Sequence, residues 1–225
     1  MSLNNGSTTI IFITGNAPYK ENKYNSSRVI RDATPSLISR LGKPDIVVLK
    51  YHSLDRSTIF LPSEPSHDQE DEVVDFAFGL HLGMTTAVPE FQAERIAYRD
   101  GYERPGEDGV YINKEYFQKL GLPESLDPAF DSDTAVARVK VTFPEIPIRA
   151  SADPNSGFCE YRLYSSLAEL QLNYISMLGM AAFLHVPKDN SPEAIQLDVD
   201  VVTAYITALV VDQLSSQSNS DKSAL

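Results

Sequence analysis

The chain has 225 residues, with 31 Asp and Glu against 19 Lys and Arg and a formal charge of −12 at pH 7. At 42% apolar and 22% charged it can bury one sizeable core. The acidic balance excludes non-specific binding to nucleic acid or to an anionic membrane, since both need a basic surface.

No run approaches about 20 uninterrupted apolar residues, so no membrane-spanning helix is expected. The polar start, M-S-L-N-N-G-S-T-T, has no basic segment followed by an apolar one, so no secretory leader is expected. The first apolar run, T-I-I-F-I-T at 9–14, is β-branched and followed by Gly15, and predicts a buried strand ending in a loop. Asn25 to Leu41 predicts a helix capped by Asn25 or Ser26 and kinked or split at Pro35. Residues 45–52 predict a second strand, 61–72 a Pro-rich acidic loop, and 73–83 a third apolar run ending in Gly83.

Residues 94–100 alternate and predict a strand. Residues 101–130 predict a long excursion with one short helix near Lys114–Leu120. A helix with an acidic start is expected at 131–140, and a short strand at 146–151. From Cys159 to about Leu178, apolar residues recur at three- and four-residue steps (Leu163, Leu167, Leu170, Tyr174, Met177), which predicts a helix. A-A-F-L-H-V-P then predicts a strand stopped by Pro187. Ser191 and Pro192 open a last helix, expected to reach about Leu214 along a stripe of Val199, Val202, Ile206 and Val210. The Ser-rich residues 215–225 predict a disordered polar tail. Strands alternating with helices over 1–214 predict one domain: a three-layer α/β/α sandwich around a twisted, mixed, mostly parallel sheet.

The only cysteine, Cys159, forms no internal disulfide and is by itself a poor metal site. A free thiol without a disulfide framework points to a reducing compartment, and a cytoplasmic location is expected. Two readings remain, an inert buried thiol or a nucleophile. The P-N-S-G turn precedes Cys159, and Asn155 or Ser156 can cap the helix that follows. The thiol then sits in the first helical turn, where the dipole and free N–H groups favour thiolate and can hold an oxyanion. His185 ends a strand-like run, at the edge where open α/β sheets place their ligand crevice. A neutral imidazole there can exchange a proton with the thiol. His81, ending the same kind of run, is the other plausible base; His52 and His67 are weaker. A carboxylate should orient the base, but composition does not separate the 31 acids.

Several segments, in order, resemble those of pyroglutamyl-peptidase I, the cysteine peptidase family that removes an N-terminal pyroglutamate, and look most like its fungal branch. They are T-G-N-A-P-Y at 14–19, N-S-S at 25–27, H-L-G-M at 81–84, E-R-I-A-Y-R-D-G-Y at 94–102, C-E-Y-R-L-Y-S-S-L from Cys159, and F-L-H-V-P at 183–187. The resemblance covers nearly the whole folded length. It implies Cys159 as nucleophile, His185 as base and Glu94 as the group that orients it. It also implies a substrate surround of Asn16, Tyr19, Met84, Gly157 and Phe158. The implied fold is one phosphorylase/hydrolase-like α/β domain. No cofactor or metal is implied. The partner is an N-terminally blocked peptide, with no nucleic acid or membrane, and the chain is expected as a monomer or weak homo-oligomer. Departures from the family pattern fall around the substrate. Asn16 and Tyr19 stand where the family has phenylalanines, D-P-N-S-G-F-C stands for D-A-G-R-Y-L-C, and Ala87-Val88 stand for Gly-Arg. They leave open a relative that cleaves a different blocked N-terminal group, or that only binds a peptide or small ligand.

Overall fold

A computed structural model of the chain describes residues 8–18, 23–52, 77–86, 88–102, 114–153 and 157–223, with side chains to 211. The expected acidic loop at 61–72 lies outside these residues. Seven strands form one sheet: β1 Thr9–Gly15, β2 Leu37–Ile38, β3 Ile46–His52, β4 Phe78–Met84, β5 Phe91–Glu94, β8 Ile148–Ser151 and β9 Ala181–Val186. Their order is β2-β3-β1-β4-β9-β5-β8. The central run β3-β1-β4-β9 is parallel. β2 is antiparallel to β3, and β5 is antiparallel to β9 but parallel to β8. β6 Ala97–Tyr98 and β7 Ser125–Leu126 make a separate two-stranded ladder. The helices are α1 Ser26–Ala33, α2 Lys114–Lys119, α3 Ser132–Thr142, α4 Phe158–Asn173 and α5 Pro192–Ser223.

The sheet is buried on both faces, which is why β1 and β4 read as continuous apolar runs rather than alternating ones. One face packs on α1, α3 and α5 through Ile30, Ala135, Val139, Val202, Ile206 and Leu209. The other packs on α4 through Leu163, Leu167 and Leu170, which meet Ala181 and Phe183 of β9. The expected three-layer, mixed and mostly parallel architecture is present. The Pro192–Val211 part of α5 is long and apolar enough to cross a bilayer, with a mean hydropathy of 1.7, and half of it is buried. The apolar-run criterion passed over it because Asp198 and Asp200 interrupt the run. In this fold its stripe of Val199, Val202, Ile206 and Val210 lies in the core.

Four expected boundaries are corrected. The first helix stops at Ala33 instead of kinking on to Leu41. Thr34 precedes Pro35, which disfavours helical backbone there, and Thr34 takes φ −55°, ψ 135°. The chain then turns outward to pair Leu37–Ile38 with β3. The expected strand at 94–100 is two elements with a break. β5 ends at Glu94 and the chain leaves the main sheet, so Ala97–Tyr98 pairs with β7 instead. β5 itself was missed because all four of its residues are buried, including the polar Gln92 and Glu94.

α4 ends at Asn173, short of Leu178. Tyr174 leaves helical geometry, and a single 3-10 turn, Ile175–Met177, follows. The last helix starts as expected, with Ser191 Oγ accepting from Ala194 N at 3.4 Å. It continues to Ser223, past the expected end near Leu214, so the tail read as disordered is helical over most of its length. Segment 215–223 is polar but contains neither Pro nor Gly, so nothing in it terminates a helix already nucleated.

Candidate active site

The register of the sheet brings the site residues together. In the parallel pair β4–β9, His81 lies beside Phe183 and Gly83 beside His185. Side chains alternate along a strand, so these four positions share one face, the face that α4 covers. β5 runs antiparallel to β9, with Gln92 opposite His185. Glu94 is two residues further along the same face of β5, diagonal to His185 and within reach of it. Its Oε1 lies 2.8 Å from His185 Nδ1, and both side chains are buried.

With Nδ1 engaged by Glu94, Nε2 is the ring nitrogen left to interact with the Cys159 thiol. Burial pushes the imidazolium pKa down. The hydrogen bonds to Cys159 and Glu94, with their charges, outweigh that and carry it from 6.5 up to about 10. The arrangement favours an imidazolium held between a carboxylate and a sulfur.

Cys159 is the second residue of α4 and is half-buried. The expected caps Asn155 and Ser156, with Pro154, lie outside the described residues. The cap position belongs to Gly157, in extended backbone and with no side-chain hydrogen bond. The sulfur therefore faces the start of α4 where backbone N–H groups lack helical acceptors. Across from it is Gly83. A methyl group there would sit 2.8 Å from Cys159 Sγ and 2.5 Å from Cζ of Phe183. The absence of a side chain at Gly83 makes room for the thiol over the sheet.

Asn16 follows β1 and aims its side-chain amide at the same sulfur, Nδ2 to Sγ 3.6 Å. Of the remaining expected substrate residues, Met84 ends β4 and is half-buried beside Gly83. Gly157 and Phe158 open α4 and are half-buried as well. Tyr19 and Ala87 lie outside the described residues.

His81 does not serve as an alternative base. It is fully buried, its Nδ1 pairs with Thr14 Oγ1 at 2.8 Å and its Nε2 with Ser166 Oγ at 2.9 Å. Burial, with the nearby Arg162 charge, holds its pKa well below 6.5, so it is a neutral ring joining β1, β4 and α4.

Arg162 was not singled out from sequence. It lies three residues after Cys159 on the same face of α4, and four before the Ser166 that bonds His81. Long helical side chains point back toward the N-terminus, so its guanidinium lies over the turn that carries Cys159. Burial lowers its pKa and the Cys159 charge raises it. No hydrogen bond or ion pair joins it to any described residue. With an ionised thiol, the sequence Glu94, His185, Cys159, Arg162 alternates in sign and sums to zero. The available signal was the spacing: a cation three residues from the only thiol.

Glu160, beside the nucleophile, was also missed. It is buried, and its Oε1 accepts from Tyr98 N at 3.1 Å, tying the first turn of α4 to β6. A carboxylate there also suits the positive end of the helix dipole. Among the described residues no group of three or more His, Cys, Asp or Glu is placed to hold a metal ion.

No protein-family model matches the chain, and no curated protein matches its sequence. Solved structures do match in fold. A pyrrolidone carboxyl peptidase variant from Pyrococcus furiosus superposes with TM-score 0.68 at 16% identity, covering 91% of this chain and 100% of that one. Pyroglutamyl peptidase I from Bacillus amyloliquefaciens gives TM-score 0.65 at 16% identity, over 91% and 94% of the two chains. The pyrrolidone carboxyl peptidase from Thermus thermophilus gives 0.59 at 23% identity, over 90% and 99%. The chain shares the α/β fold of these pyrrolidone carboxyl peptidases over nearly its full length.

Proposed function

We propose that the chain is a cysteine exopeptidase of the pyroglutamyl-peptidase I type, hydrolysing the amide bond after an N-terminal pyroglutamyl residue in a reducing, cytoplasmic compartment. The observation that carries the reading is the continuous line Glu94–His185–Cys159, a buried carboxylate on a buried imidazole on a thiol in the first turn of a helix. The likeness in fold to pyrrolidone carboxyl peptidases supports it.

In this mechanism the sulfur of Cys159, ionised by proton transfer to His185, adds to the acyl carbon. The carbonyl π pair moves onto oxygen. Collapse re-forms the carbonyl, the C–N bond breaks, and the His185 imidazolium protonates the leaving amine. A water then gives its proton to the neutral imidazole and attacks the thioester, releasing the acid and restoring the thiol pair. Glu94 fixes the tautomer and orientation of His185 and balances its charge. A pyroglutamyl ring is a neutral lactam, so the acidic surface presents no electrostatic obstacle.

A second reading keeps the chemistry and changes the acyl group. Asn16 presents an amide where a ring-binding site is expected to present an aromatic face, and Gly157 presents no side chain at all. A panel of pyroglutamyl, prolyl and acetyl-blocked coumarin amides, assayed with wild type and Cys159→Ala, decides between the two. Cleavage dominated by the pyroglutamyl amide and absent in Cys159→Ala supports the first. Cleavage of another amide alone supports the second. No cleavage of any amide above the variant overturns both.

A further inference from the structure

We propose that Asn16 is an oxyanion-stabilising residue, its side-chain amide donating to the negative oxygen that forms when Cys159 attacks an acyl carbon. The inference rests on the acyl-transfer reading above and goes beyond it, because Asn16 would be part of the catalytic machinery rather than a wall of the substrate pocket.

The geometry points there for three reasons. First, Nδ2 of Asn16 faces Cys159 Sγ at 3.6 Å, and among the described residues the amide has no other hydrogen-bond partner. In the tetrahedral intermediate the oxyanion is two bonds from that sulfur, so a donor on the sulfur needs little movement to reach it. As the S–C bond forms, the sulfur gives up its negative charge and the oxygen gains it. The amide can follow the charge from one atom to the other.

Second, Asn16 is held before any substrate arrives. Its backbone N donates to Ser27 Oγ at 3.0 Å, Ser27 Oγ donates to Asn25 Oδ1 at 2.7 Å, and Asn25 Nδ2 donates to the Ala17 carbonyl at 3.1 Å. Asn25 also caps α1 through Ser27 N. The residue before Asn16 is clamped too, since a side chain at Gly15 would clash with the Ser27 carbonyl. Donors fixed in advance are the ones that stabilise a transition state most.

Third, Gly157, at the cap of α4, contributes no side chain to the site. Among the described residues, the side-chain amide that faces the sulfur comes from Asn16, in the loop after β1.

The test separates attack by sulfur from formation of an oxyanion. Iodoacetamide alkylates the thiolate by displacement and forms no oxyanion. p-Nitrophenyl acetate acylates it through a tetrahedral oxyanion and needs no lactam pocket. Asn16→Ala and Asn16→Leu should each lower Cys159-dependent release of p-nitrophenol by about 100-fold or more, while alkylation at pH 7 stays within about twofold. Two variants of different volume separate the lost donor from a lost contact, and their circular dichroism and Tm should match wild type. Equal loss of both reactions would show that Asn16 only positions the sulfur, and overturns the proposal. Unchanged ester cleavage overturns it as well. A wild type that is alkylated but releases no p-nitrophenol above Cys159→Ala refutes the acyl-transfer reading itself, and the proposal falls with it.

Discussion

Nδ1 of His185 lies 2.8 Å from Oε1 of Glu94, across an antiparallel pair of strands 91 residues apart in sequence. That contact sets the tautomer of the base and supplies part of the charge that keeps it protonated. Removing the charge without the shape, with Glu94→Gln, should lower hydrolysis at least about 100-fold with little change in fold. It should also lower the titration midpoint of His185 from about 10, which the pH dependence of its ring proton resonance checks. The sign for stability follows. A folded-state pKa above the unfolded 6.5 adds stability that is complete below that value and is lost as pH rises toward about 10. Wild type should lose this contribution over that range, and the variant should lose less.

Gly83 is the second constraint on the sulfur. Gly83→Ala puts a methyl group 2.8 Å from Cys159 Sγ and against the Phe183 ring. Overpacking of this kind costs about 1–3 kcal/mol. The expected outcome is a lower Tm in thermal unfolding together with slower alkylation of Cys159, since the thiol must move out of line with His185.

Arg162 predicts an electrostatic effect without a steric one. Arg162→Met keeps most of the side-chain volume and removes a guanidinium whose charge acts on Cys159. Iodoacetamide alkylation at pH 7 should slow roughly tenfold, about 1.4 kcal/mol. Arg162→Lys should recover much of that loss. Equal rates in all three proteins would show that the guanidinium charge does not reach the sulfur.

Asp198 lies on α5, outside the catalytic trio. It is buried, and its Oδ2 has no hydrogen-bond partner among the described residues. Burial, aided by the Asp189 charge, raises its pKa from 3.8 to about 7. A raised carboxyl pKa destabilises the fold as pH climbs from about 4 to about 7, because the unfolded chain ionises first. Asp198→Asn should therefore be the more stable protein at pH 8, by about 1–3 kcal/mol. The gap should narrow toward pH 5, as read from urea midpoints at the two pH values.

The parts of this site that are local in sequence were legible in it. A cysteine in the first turn of a helix, and a histidine near the end of a buried strand, follow from patterns a few residues long, and Cys159 in α4 and His185 in β9 lie in those elements. Glu94 was not separable from the other acids by local pattern, because its role arises from the β5–β9 pairing. The ordered resemblance named it. Arg162 and Glu160 looked like ordinary charges on a helix, and only the packing of α4 on the sheet and on β6 distinguishes them. Helix ends followed backbone rules more than apolar periodicity. Pro35 ended α1 outright, and the polar segment after Leu214 stayed helical for want of a breaker.

The chain's single cysteine allows one decisive titration. Pyroglutamyl coumarin amide hydrolysis should be measured against equivalents of iodoacetamide incorporated, with modification of Cys159 read by intact mass. Activity should fall linearly and reach zero at one equivalent. Activity that survives full modification of Cys159 would contradict its role as the nucleophile.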